Sequence, residues 1–289
     1  MANTQAIKTR IRSVRSTKQI TKAMQLVAAS KMRRAQEATK ASAPYTEAAR
    51  ELLARLAHHT SVKTHPVFMQ RPVKNRLLIV IASDKGLAGA FNSNLTRLYA
   101  NELIADKKNG VKNTTITIGR KAAQFVSRLK DTDVTGSYQD LPDRPNSNEL
   151  HAILDTAREL FTNGTVDAVD IIYTDYVSSV VQQAKVQRVL PAGFDPEAAT
   201  ENPHDVTYEP STEEVINGIV YRLVGAQLYQ ALLESRASEY SMRMIAMKNA
   251  TDNASDLVDD LTLEMNKARQ SAITQELAEI SGGVEALND

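Results

Sequence analysis

The C-terminal stretch of the chain, residues 212–280, constrains the fold more than any other segment. No proline follows Pro210, and Gly218 and Gly225 are the only glycines before Gly282. Apolar side chains recur in this stretch at steps of three and four residues: Ala250, Ala254, Leu257, Leu261, Met265, Ala268 and Ala272. Such spacing places one apolar stripe along one face of a single long α-helix.

The length of that helix is unusual. About 70 residues at about 1.5 Å of rise per residue give roughly 100 Å, whereas a compact protein of this size has a radius of gyration of only about 19 Å. Ser211 or Thr212 can cap its start, and the Ser-Gly-Gly run at residues 281–283 is expected to end it. A helix this long needs a partner to cover its stripe. The alternative is a bundle of two or three shorter helices, which the scarcity of turn residues disfavours.

The other end of the chain supplies a partner helix. Residues 1–58 contain no glycine, and their only proline is Pro44, which can introduce a kink. Small or weakly apolar positions recur there with a mean step close to 3.5: Ile7, Ile11, Val14, Thr17, Thr21, Met24, Ala28, Met32, Ala35, Thr39 and Ser42. This heptad-like spacing predicts a second long helix that packs against the first.

Charge supports the pairing of the two terminal helices. Residues 1–59 carry 12 lysines and arginines against 3 acidic residues, and residues 211–289 carry 6 against 13. Opposite net charges favour antiparallel docking of the two segments. A basic helix is also typical of nucleic-acid binding, but the first 40 residues contain no aromatic side chain. A solvated basic face is the remaining alternative.

Composition excludes several classes of function. The chain has no cysteine, so it offers no disulfide framework and no thiol nucleophile. No apolar run approaches the roughly 18–20 residues of a membrane span. The basic N-terminus also lacks the apolar segment of a secretory signal. These features predict a protein that is made and kept in the cytosol.

Between the two helices the pattern predicts a compact α/β domain. Apolar runs are expected to form strands at residues 76–83, 114–119, 134–138, 167–176 and 182–190. Strands that alternate with helices favour a mostly parallel sheet. The short connection between the last two strands predicts an antiparallel hairpin at one edge.

The predicted fold class is therefore α/β: a long antiparallel coiled coil of the N- and C-terminal helices with an inserted Rossmann-like α/β domain. We expect an N-terminal coiled-coil helix at residues 1–59, an α/β foot domain at residues 73–192 and a C-terminal coiled-coil helix at residues 211–289. The C-terminal helix is the longer one, so its last turns, from about Lys267, form an unpaired tip. Because that tip carries apolar side chains, we expect it to lie inside a partner.

The best candidate for a ligand site is the glycine-containing turn at residues 84–92, because α/β folds bind phosphates after the first strand. Its Gly86-x-x-Gly89 spacing matches neither the dinucleotide-binding nor the P-loop pattern, so a structural turn or a partner-contact loop is favoured. The five histidines show no metal-ligand spacing. The acidic residues at 252–260 are expected to face solvent or a partner. We expect no catalytic site, no cofactor and no metal.

Four stretches of the chain form a recognisable set of motifs. They are ITKAMQLVAASKMRRAQ at residues 20–36, SDKGLAG at 83–89, the segment 239–254 with MKNATDN at 247–253, and NKARQSAITQELAEI at 266–280. Together they resemble the gamma subunit of F-type ATP synthase, over the whole chain and in the family's order. Gly283-Val284 departs from the family's usual Gly-Ala, which bears on how the tip packs. The absence of cysteine fits a bacterial form without the plastid redox insert.

The resemblance implies a rotor shaft that is not itself catalytic. The coiled coil is expected to turn inside a ring of three alpha and three beta subunits, where the beta subunits carry out the ATP chemistry. The foot is expected on the membrane ring of c subunits, beside the epsilon subunit. The chain is then a peripheral membrane protein on the cytoplasmic face of the bacterial cell membrane, and it couples ion flow to ATP synthesis or hydrolysis. No nucleic acid is expected as a partner.

The resemblance also carries over contact residues by motif position. Contacts with the beta subunits are implied at Met24, Arg243, Arg269, Gln270, Thr274 and Glu276, and contacts with the epsilon subunit or the c ring at Lys85, Gly86 and Leu87. Met24 can instead be a seam residue of the coiled coil, and Thr274 and Glu276 can be merely solvated. Two other functions stay open: a free coiled-coil adaptor with a ligand-binding head, and a nucleotide-dependent enzyme that rests on Gly86 and Gly89.

Overall fold

The protein is described by a computed structural model that covers residues 2–58, 65–130, 132–145, 147–193 and 212–288. The helices are α1 (Ala2–His58), α2 (Phe91–Lys108), α3 (Arg120–Val126), α4 (Ser147–Thr162) and α5 (Thr212–Asn288), with a short 3-10 helix at Pro66–Phe68. The strands are β1 (Asn75–Ile81), β2 (Lys112–Ile118), β3 (Asp133–Tyr138), β4 (Ala168–Tyr176) and β5 (Gln182–Leu190). All five predicted strands are present.

The five strands form one mixed sheet in the order β3-β2-β1-β4-β5. β1 pairs in parallel with β2 and β4, and β2 pairs in parallel with β3. β5 is antiparallel to β4, which confirms the predicted hairpin at one edge. The central position of β1 explains its continuous apolar sequence, because a strand covered on both faces needs apolar side chains at every position.

The two faces of the sheet carry separate cores. Along β1, Leu77 and Ile79 belong to the core that α4 and α5 cover. Leu78 and Val80 point the other way and pack with residues of α2 and α3. Successive side chains alternate between faces because the side-chain period of a strand is two.

The chain divides into two compact units. We call Met1–Ala28 with Arg243–Asp289 the coil unit, and Ala29–Met242 the domain unit. Helices α1 and α5 contribute to both, because their sequences run across the division. No helix among the described residues is long and apolar enough to cross a membrane.

The coil unit is an antiparallel pair of helices. Ile7 and Ile11 of α1 cluster with Val258 and Leu261 of α5. Higher on α1, Lys18 Nζ donates to Ser255 Oγ at 2.8 Å. Residues with higher numbers on α1 therefore contact residues with lower numbers on α5, as expected for antiparallel helices. The seam is narrow and mixes apolar with polar contacts.

One position of the predicted apolar stripe is wrong. Leu257 is 38% exposed, whereas its neighbour Val258 is buried in the seam. The buried positions 251, 254, 258 and 261 follow a regular alternation of three and four residues, which keeps the mean step at the 3.5 of a coiled coil. Thr17 of α1 is likewise exposed, and Lys18 faces the partner helix in its place.

The predicted end of the C-terminal helix is also wrong. We expected the glycines after Ser281 to stop the helix, but α5 continues through Gly282 and Gly283 to Asn288. Glycine lowers helix propensity by about 1 kcal/mol relative to alanine without forbidding the helical conformation. No proline follows to enforce a stop. The predicted start at Thr212 agrees with the structure, and the alternative cap Ser211 lies outside the described residues.

Candidate functional site

Four predicted contact residues lie on the last turns of α5 in the coil unit. Arg269, Gln270, Thr274 and Glu276 are all exposed. Gln270 and Thr274 are one turn apart, and the Thr274 hydroxyl donates to the Gln270 carbonyl at 2.9 Å. Since that bond lies within the helix, it leaves the Gln270 amide and the lone pairs of the Thr274 oxygen directed outward.

This end of α5 extends beyond the start of α1. The pairing of Lys18 with Ser255 sets an antiparallel register in which Ala2 lies opposite about residue 270. Past that point Ile273, Leu277 and Ile280 are 50–64% exposed. Three large apolar side chains within two turns are unusual on a free helix, and such patches typically mark contact surfaces.

The other two predicted beta-contact residues lie further along the coil unit. Met24 is half-buried on α1, so its position is compatible both with a seam residue and with a contact residue. Arg243 on α5 is only 9% exposed. Little of its side chain therefore faces solvent, and a contact with a partner would have to use that small exposed part.

The loop between β1 and α2 in the domain unit, residues 82–90, contains the residues predicted to contact epsilon or the c ring, and we call it the foot loop. The Ser83 hydroxyl donates to the carbonyl of Lys85 at 2.7 Å, and the Ser83 amide donates to Asn92 Oδ1 at 3.2 Å. These bonds hold the loop in a tight turn whose tip is Leu87, which has a φ of +61° and is 63% exposed. Lys85 and Gly86 are exposed beside it.

The carboxylate of Asp84 ties together the ends of three neighbouring strands. Its Oδ1 accepts from the backbone N–H of Arg120 at 3.0 Å and of Asp140 at 3.1 Å. Its Oδ2 lies 3.5 Å from the guanidinium of Arg236 on α5. The carboxyl ends of β1, β2 and β3 meet at this edge because the strands are parallel. An acidic side chain here repels a phosphate, which disfavours the nucleotide interpretation of Gly86 and Gly89.

Arg236 is the main polar contact between α5 and these loops. Its guanidinium donates to the Leu141 carbonyl at 3.0 Å and to Glu239 at 3.1 Å. Burial works against the charged form, but Glu239, Tyr240 and Asp84 outweigh it and hold the pKa of Arg236 above its usual value. The group therefore stays charged at any physiological pH.

Tyr240 and Lys31 make a second contact with the loop that follows β3. The Tyr240 hydroxyl donates to Asp143 Oδ1, and Lys31 Nζ lies 3.0 Å from Asp143 Oδ2. Burial would raise the pKa of Asp143, but the bonds from Tyr240 and Lys31 outweigh it, so this pKa lies below its usual value. Asp143 thus joins α1, α5 and the loop.

Sequence reasoning missed Arg236 and Tyr240 as functional candidates. They lie in the segment SRASEYS at residues 235–241, all seven of which are buried. The sequence feature that could have identified them is the mostly polar composition of that segment. A helix whose polar residues follow no single face has to be either fully solvated or surrounded by polar partners.

A half-buried carboxyl directly precedes that segment on α5. Glu234 accepts from Gln230 Nε2 at 2.8 Å. Burial raises the pKa of Glu234 above the ordinary value of 4.5; Asp175 of β4 raises it further, while Gln230 and Lys185 act against the shift. Ionising Glu234 therefore costs more in the folded protein than in the unfolded chain.

Glu234→Gln is expected to raise the free energy of unfolding at about pH 8, with a difference that shrinks as the pH falls towards 4.5. The sign follows from the raised pKa: the folded state binds the proton more tightly, so its stability falls as the pH rises. Urea unfolding at several pH values measures the effect. The exposed residue Glu37, changed to Gln, is the control. A difference that grows towards low pH would contradict the assignment.

The fold and the exposed tip define a coiled-coil shaft protein with an inserted α/β domain. The sequence profile of the family described as ATP synthase matches residues 3–287. A relative named ATP synthase gamma chain, from Cupriavidus pinatubonensis, is 42% identical over 292 residues, which cover 99% of this chain and 100% of the relative. The chain belongs to the ATP synthase gamma-chain family.

Solved structures share the fold. A chain from the central stalk and c-ring of the Tetrahymena thermophila mitochondrial ATP synthase is 28% identical, with a TM-score of 0.57, and the match covers 80% of this chain and 99% of that one. A chain from the OSCP/F1/c-ring assembly of the Euglena gracilis mitochondrial ATP synthase has a TM-score of 0.71, covering 99% and 95%. At 17% identity the second likeness concerns the fold alone. The predicted fold class is confirmed.

Family membership also confirms the predicted function. The chain acts as a gamma subunit of ATP synthase, a component that does not itself carry the catalytic site of the complex. It is therefore part of a membrane-associated assembly.

Proposed function

We propose that the chain is the central shaft of an F-type ATP synthase and that it turns inside an alpha3beta3 ring. In this proposal the beta subunits carry out ATP synthesis or hydrolysis, and the α/β domain contacts the epsilon subunit and the c ring. The chain is peripheral to the membrane, on the cytoplasmic face of a bacterial cell. Residues 1–59 and 211–289 act as the shaft, and residues 73–192 act as the foot.

The exposed end of α5 carries this proposal. Beyond the start of α1, no other helix among the described residues covers Ile273, Leu277 and Ile280, which are at least half exposed. Each such side chain gains roughly 1.5–3 kcal/mol when it is fully buried. A surrounding sleeve made of other subunits meets that need.

The polar residues of the tip fit a contact that forms and breaks. A rotor has to bias several conformations of its ring by differential contact, without bonding permanently to any one of them. Arg269, Gln270, Thr274 and Glu276 offer single hydrogen bonds at exposed positions. Exposed pairs of this kind contribute about 1 kcal/mol or less. Met24 and Arg243 are the proposed beta contacts further along the coil.

The foot loop supports a second interface. Lys85, Gly86 and Leu87 are exposed at the carboxyl edge of the sheet. Leu87 places a large apolar side chain in solvent, although its backbone has a positive φ that a leucine rarely adopts. Strained backbone of this kind is typical of functional loops. We assign this loop to contact with the epsilon subunit or the c ring.

Recovery of the intact assembly tests the proposal. The chain would be tagged in its own cell, the membranes solubilised gently and the purified assembly weighed by native mass spectrometry. We expect one copy of the chain with three copies each of two large ATP-hydrolysing subunits. Recovery of the chain alone, or with nucleic acid, would overturn the shaft assignment in favour of an adaptor or a basic-helix binder.

The double variant Gln270→Ala with Thr274→Ala is expected to fold normally but to lower ATP synthesis roughly five- to thirtyfold, because two bonds of about 0.5–1 kcal/mol each are lost at the tip. Synthesis is measured in membrane vesicles and divided by the amount of assembled complex. The matched control is Thr262→Ala with Asn266→Ala, which removes a hydroxyl and an amide at the same spacing. Equal rates in both double variants would count against a role for the tip.

A further inference from the structure

Residues 235–241 of α5, which we call the joint segment, are buried on every side of the helix. Its sequence is SRASEYS, and all seven residues are buried although most are polar. A helix in a two-layer fold normally buries one stripe and leaves the rest in water. Complete burial of a polar helical turn therefore requires partners all around it. The partners described below lie in the domain unit.

Three serines of the joint segment bind the β4–β5 hairpin. Ser235 Oγ accepts from the backbone N–H of Thr174 at 3.1 Å. Ser238 Oγ donates to the carbonyl of the same threonine at 3.2 Å, and Ser241 Oγ donates to the carbonyl of Ser179 at 2.6 Å. The spacing of three residues places these hydroxyls along one side of the helix, against hairpin backbone.

The remaining long side chains of the joint segment bind a different part of the domain. Arg236 and Tyr240, one turn apart, contact the loops that follow β1 and β3 through Asp84, the Leu141 carbonyl and Asp143. The loop after β3 lies at the edge of the sheet opposite the hairpin, and the loop after β1 follows the central strand, because the strand order is β3-β2-β1-β4-β5. The helix is thus held from two sides.

We propose that the joint segment is the torque-bearing connection between α5 and the sheet. If α5 turned about its own axis relative to the sheet, both sets of bonds would break together. Polar contacts resist such turning better than an apolar interface, because hydrogen bonds fix direction as well as distance. Arg236, Tyr240 and the three serines are positioning residues for rotation. The inference rests on the proposed shaft function.

Torsional stiffness distinguishes this role from a purely structural one. The alpha3beta3 ring is fixed to a surface, rotation is stalled, and a bead is attached to the domain at Lys108→Cys. Lys108 is exposed and the chain has no cysteine of its own, so the attachment is unique within it. The angular variance of the bead is inversely proportional to the stiffness of the connection. Loss of stability alone changes how much complex is recovered but leaves this variance unchanged.

The test variant is the triple change Ser235→Ala, Ser238→Ala and Ser241→Ala. If the five side chains contribute equally and in parallel, the loss of three is expected to raise the angular variance about 2.5-fold. The matched control changes three hydroxyls that bond only to carbonyls of their own helices: Thr96→Ala, Thr156→Ala and Thr162→Ala. It is expected to match the parent.

Equal variance in the triple serine variant and the parent would overturn the proposal. Tyr240→Phe is a milder second variant, which keeps the ring and removes the hydroxyl with its bonds to Asp143 and Lys31; it is expected to raise the variance by a smaller amount. The failure of the shaft assignment is recognised separately, because a parent chain that does not enter the alpha and beta ring gives no bead to observe.

Discussion

Gly119→Ala is expected to destabilise the protein by about 3–5 kcal/mol, the sum of backbone strain and overpacking. Gly119 has a φ of +92°, a conformation that side chains rarely allow. A Cβ at this position would lie 2.2 Å from the carbonyl oxygen of Ala82 and 2.8 Å from its carbonyl carbon. Both are backbone atoms of a buried strand end, so they cannot move aside as a flexible side chain would.

The same change is expected to loosen the foot loop. The Gly119 amide donates to the Tyr138 carbonyl at 2.7 Å, and the Ala82 amide donates to the Ile118 carbonyl at 2.9 Å. These bonds hold together the strand ends on which Asp84 depends. Displacement of Gly119 therefore disturbs the contact between Asp84 and Arg236 as well as the core.

Gly110→Ala is the control for backbone conformation alone. Gly110 also has a positive φ, +71°, but nothing lies within 4 Å of the position of its Cβ. We expect a loss of about 1–2 kcal/mol there. Urea unfolding of the two variants and the parent gives the comparison. Similar losses in both variants would show that the close approach to Ala82 contributes little.

The elements of the fold follow from local sequence signals. The run of apolar residues at 76–83 predicts a central strand, and the structure places β1 in the middle of the sheet. The scarcity of glycine and proline at both ends predicts two long helices, and α1 and α5 span 57 and 77 residues. In both cases the same sequence pattern extends over the whole element, so contacts with the rest of the protein are not needed to predict the type of element.

The phase of the coiled coil and the end of α5 could not be predicted as reliably. Leu257 and Val258 are adjacent apolar residues, and only the partner helix decides which of them enters the seam. Gly282 and Gly283 permit a helix stop, but a stop also requires the following chain to turn and pack elsewhere. Both outcomes depend on contacts that periodicity does not contain.

Some residues of the candidate sites could be predicted from the sequence and others could not. The tip residues Gln270 and Thr274 came from resemblance to the family, and the structure adds that Gln270 lies level with the start of α1 and Thr274 beyond it. Arg236 and Tyr240 carry no motif that chemistry alone would single out. Their importance comes from the parallel strand ends that bring Asp84 and the loop after β3 to one place.

Arg76→Met is expected to destabilise the protein by about 3–5 kcal/mol, because it removes the cation shared by the buried carboxylates of Asp170 and Asp106 and the half-buried carboxylate of Glu102. Arg76, near the start of β1, is only 7% exposed. Its guanidinium pairs with Asp170 of β4 and lies 2.7 Å from Glu102 and 3.0 Å from Asp106 of α2. Burial opposes the charged form, but Asp170, Glu102 and Asp106 outweigh it and raise the pKa of Arg76 above its usual value.

Arg188 partly compensates for the loss of Arg76, because it also pairs with Asp170. Its guanidinium donates to both oxygens of Asp170, at 2.8 and 2.9 Å. Asp170 therefore keeps one cation in the variant, whereas Glu102 and Asp106 lose the ion pairs with Arg76. Methionine replaces much of the arginine's volume, so the loss reports charge rather than a cavity. Because all these groups lie beside the first strand of the sheet, we expect the whole domain unit to lose stability.

Arg120→Met supplies the comparison for an exposed pair. Arg120 lies 2.8 Å from Asp140, a distance similar to those around Arg76, but the two side chains are 48% and 65% exposed. Water already solvates both charges, so we expect a loss of less than about 1 kcal/mol. Urea unfolding measures both variants against the parent. If Arg76→Met lowered the free energy of unfolding no more than Arg120→Met, the buried ion pairs of Arg76 would stabilise the protein no more than a surface pair. Groups other than Arg76 would then have to compensate the burial of the carboxylates.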